Sequence, residues 1–470
     1  MRSILNLIMA LILFSTNALG AINANTVWEF RATNGNANNG GGFADLNPGT
    51  SVDYSNQNAA QLTLTDGATS GIGVTTLTSA TGGFTAAMEG NVIRISAGTN
   101  AVIGYYQITG YTDGNTVTLD RAPDDGIGGL SGANLKVGGA IAVLIDAFFD
   151  SLTANGPVAG NTIYIKNDGA MVLVSAIDAA LDGTPLAVIT IEGYNTSRGD
   201  NPVGNNRPVI TANSYSFSFD NYMVIKNLIV NITAAEGLKV DIAGRIVNCK
   251  ATNTSGTASR YGIRHGAAGG SAIYCEGIST NGYGFSTTTS NKMLFSYAHD
   301  SSIGMRWGGA DQIIVFGCVI DSNVTGIQVG TDGLYHLIAN NTIYNNTTGI
   351  SGITGNIGTI IVNNILDANT TGVDWGEIDE TVFVDYNVWD NTTDIVNLSK
   401  GAHAVNGDPG LIAPADGNFT VGSGSNSLDA GIQLGTDVGV VGDYKWNIGA
   451  DQDDNTAAGG GSPIGWVAIE

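Results

Sequence analysis

Residues 316–395 repeat one short line four times. GCVIDSNVTGI begins at Gly317, NNTIYNNTTGI at Asn340, NNILDANTTGV at Asn363 and DYNVWDNTTDI at Asp385. Each line carries an apolar residue at its fourth place (Ile320, Ile343, Leu366, Val388) and an asparagine at its seventh (Asn323, Asn346, Asn369, Asn391). Each has threonine at its ninth place and ends on an aliphatic residue. The asparagines are 23, 23 and 22 residues apart. A fixed period of this size means a solenoid, because one repeat cannot bury its own apolar face. The lines are rich in Val, Ile, Thr, Asn and Gly, which favour short strands and turns over paired helices. Asparagine tolerates the left-handed conformation of a sharp corner, and stacked side-chain amides can bond to the coils on either side. The spacing therefore predicts an asparagine ladder at one corner of a parallel β-helix.

The period reaches further back than the four lines. The glycine that precedes the last residue of each line recurs at Gly237, Gly262, Gly284, Gly304, Gly326, Gly349 and Gly372, with Asp394 in the same place. The residues that follow are all apolar: Leu238, Ile263, Phe285, Met305, Ile327, Ile350, Val373 and Ile395. Such a column faces a core. A second strand precedes each line, so a coil of about 22 residues holds two or three short strands, as a β-helix requires. Asn281 fits the asparagine position of an earlier coil, and Ser301 replaces it in the next.

Around this solenoid, residues 158–400, the other segments are placed by local signals. Arg2, the apolar run Ile4–Phe14 and the small residues Ala18-Leu19-Gly20 read as a signal peptide, residues 1–20, cleaved before Ala21. Export to the cell surface or medium follows from it, and no later run is long and apolar enough to span a membrane. Residues 21–135 lack the period and alternate strand-like runs with Gly/Asn turns, so they form an N-terminal β module. In residues 136–157, Ile141, Leu144, Phe148 and Leu152 recur at helical spacing. They predict a helix over 139–154 that caps the solenoid's open end. Residues 401–452 read as a closing cap. Residues 453–470 read as a linker and an apolar tail.

The chain has 18 Lys+Arg against 41 Asp+Glu, a formal charge of −23. Nucleic acid is excluded as a partner, since phosphate binding needs a basic surface. Attraction of an acidic polysaccharide by overall charge is disfavoured for the same reason, whereas a divalent cation such as calcium is compatible. No Cys or His spacing marks a metal site, and no cofactor is implied. The three cysteines Cys249, Cys275 and Cys318 read as stacked, inward-facing small residues. Arg198-Gly199-Asp200 reads as a turn.

The coil lines resemble the right-handed parallel β-helix repeats of the pectin-lyase-like superfamily. The segment from Asp408-Pro409 through Ser427-Leu428-Asp429-Ala430-Gly431 to Ile448-Gly449-Ala450-Asp451 is similar to one that closes secreted bacterial β-helix proteins. The run Gly83-Phe84-Thr85 to Thr116–Asp120 resembles a β module found ahead of β-helices in phage-associated and environmental proteins. The resemblance implies an all-β, right-handed parallel β-helix. It leaves activity open, because the superfamily holds lyases, hydrolases, tail spikes and adhesins.

β-Helix enzymes carry charged residues in columns on the outer face. Two places after the marker glycine the column reads Lys239, Arg264, Ser286, Arg306, Gln328, Ser351, Asp374. The next place reads Val240, His265, Thr287, Trp307, Val329, Gly352, Trp375. Cationic and aromatic residues are scarce in this chain, and they gather in residues 260–336. Arg264 and Arg306 are expected to hold a carboxylate or hydroxyls, and Trp307, Tyr335 and Trp375 to meet a sugar ring. Arg264, His265, His299, Arg306 and His336 are the catalytic candidates. The polygalacturonase-type sets (Asn-Thr-Asp, Asp-Asp, Gly-His-Gly, Arg-Ile-Lys) are missing from the solenoid, as are the clustered aspartates and Arg-x-Pro-x-x-Arg of calcium-dependent pectate lyases. The reading that follows is a non-catalytic exported surface or structural protein, a rigid scaffold for adhesion, glycan contact or assembly. The alternatives are a polysaccharide lyase or glycoside hydrolase, and a subunit of a polymeric surface structure that contacts another surface protein or further copies of itself.

Overall fold

The computed structural model describes residues 22–44, 58–144, 146–149, 156–179, 182–288, 290–308, 311–330, 333–353, 355–377, 381–428 and 430–431. The signal segment, the linker and tail, and the Ile448–Asp451 part of the closing segment lie outside these residues, as does Asp429. The chain divides into two compact units, residues 1–169 with 179–189, and residues 170–178 with 190–470. Among the described residues no helix is long and apolar enough to cross a membrane.

In the first unit a closed antiparallel barrel runs in the order Leu62–Thr69, Thr76–Thr78, Thr116–Leu119, Gly104–Asp113, Val92–Thr99, Ser131–Val137. Period-two alternation sends Ile93, Ile95, Ile108, Val117 and Leu135 into its core. The strand Thr26–Arg31 pairs in parallel with Thr162–Lys166. The helix expected over 139–154 is reduced to the single turn Asp146–Phe149, with residues 145 and 150–155 outside the described set. Its first part is extended chain instead. Gly138 and Gly139 take φ of +57° and +76°, and Ile141 then bridges Phe30. The Ile141 N–H donates to the Glu29 carbonyl at 2.9 Å, and its own carbonyl accepts from the Arg31 N–H at 2.9 Å. The apolar spacing still serves burial: Ile141, Leu144 and Phe148 are all in the core. Tertiary pairing has overridden local periodicity.

The second unit is a parallel β-solenoid of about eight turns with coils of roughly 23 residues. Each coil contributes one strand to each of three sheets. Sheet I holds Met223–Lys226, Arg245–Val247, Ser271–Ile273, Lys292–Leu294, Ile314–Phe316, Leu337–Ala339, Ile360–Val362 and Phe383–Asp385. Sheet II includes Lys250–Asn253, Glu276–Ser279, Tyr297–His299, Val319–Asp321, Thr342–Tyr344, Ile365–Asp367 and Val388–Asp390. Sheet III includes Leu238–Val240, Tyr261–His265, Tyr283–Thr287, Ile303–Trp307, Thr325–Val329, Thr348–Gly352, Thr371–Trp375 and Thr393–Val396. The parallel β-helix expected from the repeat is what the chain forms. Its core column is in register from Leu238 through Ile263, Phe285, Met305, Ile327, Ile350 and Val373 to Ile395.

The asparagine ladder is present, and its bonds have a direction. The N–H of Asn323 donates to Asn346 Oδ1 at 3.0 Å, that of Asn346 to Asn369 Oδ1 at 2.9 Å, and that of Asn369 to Asn391 Oδ1 at 3.2 Å. Each Nδ2 reaches back to a carbonyl of the preceding coil, as Asn346 does to Ile320 at 3.1 Å. The last acceptor is Asp394, whose Oδ1 takes both the N–H and the Nδ2 of Asn391 at 3.2 Å. The left-handed corner residues are the ones before the ladder, Ser322, Asn345 and Ala368 with φ of +53° to +55°. The final coil has no such residue between Asp390 and Asn391, which accounts for the one 22-residue step. In the earlier coils Ser279 and Ser301 continue the column, the N–H of Ser279 donating to Ser301 Oγ at 2.8 Å. Asn281 is exposed and outside it.

A second ladder, not read from the repeat, stands at the corner between sheets I and II. Asn341 donates to Asn364 Oδ1 and Asn364 to Asn387 Oδ1, with Nδ2 distances of 2.9 and 3.0 Å. Cys249, Cys275 and Cys318 occupy the same inward place in earlier coils; all three are free and buried. Each Sγ lies 3.3–3.7 Å from a carbonyl of the preceding coil, where the asparagines put their amides. Burial raises all three thiols, Cys275 to about 11 and Cys318 to about 12.

The closing segment does more than end the stack. Val405–Asn406 adds a strand beside Val388–Asp390, and the hairpin Leu411–Ala413/Asn418–Val421 then lies along the outer side of sheet II. There Val421, with Val405 and Leu411, packs on Ile365 and Val388. Phe419 reaches further back, its ring 5.8 Å from Tyr344 and 6.3 Å from Tyr297.

Candidate functional site

Alternation along the sheet III strands decides which candidates can meet a ligand. Within Tyr261–His265 the side chain of Ile263 points inward, Arg264 outward and His265 inward again. The same holds for Met305, Arg306 and Trp307. His265, Trp307 and Trp375 are therefore core residues, 2%, 0% and 0% exposed, and they are not open to a sugar. Trp375 lies over Gly352 of the preceding coil, where an added Cβ would meet its ring at 2.2 Å. His336 is also interior, with its Nδ1 accepting from the Ile313 N–H at 3.3 Å. Burial brings both His265 and His336 down to about 4, so they are neutral at pH 7 and sealed from solvent. Tyr335 is 62% exposed but stands at the corner leading into sheet I, with φ +61°.

The outward column keeps its cations. Register places Lys239 beside Arg264, Arg264 beside Ser286, Ser286 beside Arg306, and Arg306 beside Gln328. The two arginines are two rungs apart, about 10 Å. Each guanidinium lies over a tyrosine: Arg264 5.2 Å from the Tyr261 ring centroid, Arg306 4.6 Å from that of Tyr283. Among the described residues neither has a carboxylate within ion-pair distance. Their neighbours do: Lys239 pairs with Asp241 at 3.1 Å and Arg260 with Glu236 at 3.4 Å. The Tyr261 hydroxyl donates to Glu236 Oε2. Burial, and then that carboxylate, raise its pKa well above the ordinary phenol range. Tyr261 is thus a fixed donor and not a base.

His299 belongs to a different face. It sits on sheet II, stacked on Tyr297 with centroids 4.1 Å apart. Both ring nitrogens are engaged, Nε2 with Glu276 at 3.1 Å and Nδ1 with Asp300 at 2.8 Å. Burial opposes its charge, but the two carboxylates outweigh that and raise its pKa. Glu276, 3% exposed, also takes Lys250 Nζ at 2.7 Å. Its burial is outweighed by these partners and its pKa is lowered. Burial and the nearby Asp321 carboxylate raise the Tyr297 hydroxyl well above the ordinary phenol range. This network of Lys250, Glu276, Tyr297, His299, Asp300 and Asp321 was not read from the sequence. Its members come from four coils; Tyr297, His299 and Asp300 are neighbours on one segment, and the sheet register brings Lys250, Glu276 and Asp321 to them. The raised His299 and the lowered Glu276 fit an imidazolium held between carboxylates.

Further along the same column Asp367 faces Asp390 and Asp408. Burial and these two charges push it up to about 6. Its native pKa lies above the ordinary value of about 3.9, so the folded chain binds this proton more tightly than the unfolded one. The stability it contributes is complete below about pH 4 and is lost as pH rises through 6. Asp367→Asn is expected to raise the melting temperature by a few degrees at pH 8 and to leave it unchanged at pH 4. Thermal melts at the two pH values check this.

The remaining histidine, His403, is held by Asp385 at 2.9 Å. Among the described residues no group of three or more His, Cys, Asp or Glu is placed to hold a metal ion. A cavity of about 280 Å³ in the first unit, lined by Asn25, Glu89, Gln107 and Thr109 among others, contains none of the candidates.

No protein-family model matches the chain, and no curated protein matches it. Among solved structures it is similar to the pectate lyase Pel9A, with 12% identity, a TM-score of 0.41, and coverage of 66% of this chain and 95% of that one. The A-module of the Azotobacter vinelandii mannuronan C-5 epimerase AlgE4 has 12% identity and a TM-score of 0.29, covering 53% and 88%. A PL6 family polysaccharide lyase from Pseudopedobacter saltans has 12% identity and a TM-score of 0.23, covering 58% and 94%. Likeness of this degree says nothing of activity.

Proposed function

We propose that this is an exported protein that holds a carboxylate-bearing glycan on the outer face of sheet III without cleaving it. The observation that carries the reading is the pair Arg264 and Arg306. They are two rungs apart, each seated on a tyrosine, and without a carboxylate partner among the described residues, in a chain of net charge −23. A guanidinium fork bonds a carboxylate with two parallel hydrogen bonds. Seating on an aromatic ring holds the fork in place and lowers the entropy lost on binding. The overall charge repels polyanions, so recognition is local and depends on geometry. Catalysis finds little support: two histidines are sealed in the core, the other two are bound to carboxylates, and Tyr261 is kept protonated.

The test is binding to a polyuronate by titration calorimetry. The unaltered protein is expected to bind, and Arg264→Ala with Arg306→Ala to bind at least about tenfold more weakly, the loss of one charge-assisted bond or more. Far-UV circular dichroism should be unchanged. Equal affinity in the double variant overturns the site. Release of unsaturated or reducing ends by the unaltered protein overturns the non-catalytic reading and favours a lyase or hydrolase.

A further inference from the structure

The outer face of sheet III does not end at its arginines. Register continues the Arg264–Arg306 column through Gln328 and Ser351 to Asp374. A second outward column beside it runs from Tyr261 and Tyr283 through Ile303 to Thr325, Thr348 and Thr371. Counted from Tyr261–His265 as the first rung, the face changes character twice. Rungs one to three carry the two arginines and the two tyrosines. Rungs four and five carry only uncharged polar groups, Thr325 with Gln328 and then Thr348 with Ser351, all half-buried. Rung six sets the exposed Asp374 beside Thr371. Glu377, also exposed, follows on the same segment, and Asp374 pairs with no cation among the described residues.

Distance decides what this carboxylate can act on. Arg306 and Asp374 are three rungs apart, about 14 Å, beyond the screening length of about 8 Å at physiological salt. Asp374 therefore does not neutralise the arginines, and they do not neutralise it. Its charge is felt by whatever lies over rung six. Arg264 and Arg306 are displaced along the solenoid axis and not across the strands, so a ligand that meets both runs along the axis. A pyranose advances an extended chain by about the height of one rung, about 4.8 Å. A glycan that meets the arginines with its first and third sugars thus lays its later sugars over rungs four to six. An anionic sugar over Asp374 meets a like charge, which rejects it in favour of one without charge.

We propose that Asp374 is a specificity-determining residue: sheet III holds a glycan whose acidic sugars lie over rungs one to three and whose next sugars, over rungs four to six, are uncharged. This rests on the carboxylate-binding role of Arg264 and Arg306 given above. The uncharged stretch bonds to Thr325, Gln328, Thr348, Ser351 and Thr371, whose hydroxyls and amide both give and take hydrogen bonds. The ligand class is a glycan in which an acidic stretch adjoins an uncharged one. A uniform polyuronate is held over its first three sugars only.

Titration calorimetry with a triuronate and a hexauronate of one sugar type reads this. The trimer covers rungs one to three, and the hexamer reaches rung six. The unaltered protein is expected to bind the two within about fivefold of each other. Asp374→Asn with Glu377→Gln is expected to raise the hexamer-to-trimer affinity ratio by about tenfold or more, and the difference from the unaltered protein should widen at low salt. Both side chains are exposed, so the far-UV circular dichroism spectrum should not change. A ratio that stays the same in the double variant shows that Asp374 selects nothing. A hexamer bound about tenfold more tightly than the trimer by the unaltered protein overturns the uncharged stretch. Failure at the arginines looks different: neither oligomer binds, and the carboxylate site falls together with the selection built on it.

Discussion

Asn346→Leu is expected to destabilise the solenoid by about 3–5 kcal/mol. The size follows from what the amide does. Asn346 accepts the N–H of Asn323 at 3.0 Å and donates to the Ile320 and Tyr344 carbonyls at 3.1 and 2.9 Å. It also donates to Asn369 Oδ1 at 3.0 Å. Leucine has similar volume but no polar atom, so at least one buried N–H and two carbonyls lose these partners. Each orphan costs about 1–3 kcal/mol, and the apolar gain offsets part of the sum. Denaturant unfolding followed by circular dichroism measures it. Asn345→Gly is the control. Asn345 is exposed with φ +53°, so glycine relieves its conformation and stability should hold or rise. A loss under about 1 kcal/mol in Asn346→Leu would mean that strand pairing alone holds the coils.

Gly349→Ala is expected to cost about 2–4 kcal/mol, although alanine is the smallest possible change. A Cβ at Gly349 would sit 2.5 Å from the Gly372 carbonyl oxygen of the next coil. Gly326 and Gly372 show the same conflict, with the Gly349 and Asp394 oxygens at 2.5 and 2.6 Å. The obstacle is backbone, which cannot swing aside, and relieving it means opening a rung of three sheets. None of these three glycines has a left-handed φ, so the requirement is space and not conformational freedom. Comparing the melting temperature with that of Gly417→Ala separates the two causes. Gly417 has φ +79° with nothing within 4 Å of an added Cβ, so only conformational strain acts there.

These glycines show how far the sequence could be read. Their spacing located the coils and the core column, because repetition makes every coil testify to the same inward face. It could not say why glycine recurs, since the conflict is with a carbonyl some 23 residues away. The second ladder was half visible: Cys318, Asn341 and Asn364 share the second place of their lines, but Asn387 stands at the third place of the last line and joins the column only once the coils are aligned in space. The helix over 139–154 failed because apolar spacing reports burial, and buried extended chain satisfies it equally. In the outer columns, Arg264 and Arg306 were legible as cations two rungs apart. His265 and Trp307 were misplaced because the residue beside an outward one on a strand must point inward. The Glu276–His299 network could not be read at all.

Asp394 has a consequence for length. It ends the ladder by giving Asn391 an acceptor within its own coil, and Lys400 holds its other oxygen. A duplicated coil inserted between Asn323 and Asn391 would find a donor behind it and an acceptor ahead, and the terminator would still be in place. Tandem duplication can therefore lengthen this stack without redesigning either end, and without disturbing Arg264 and Arg306 upstream. The hairpin, however, is anchored on Ile365 and Val388 and would travel with the last coils. Phe419 would leave Tyr297 one rung behind for each coil gained, so every added repeat would uncover more of the polar network on sheet II.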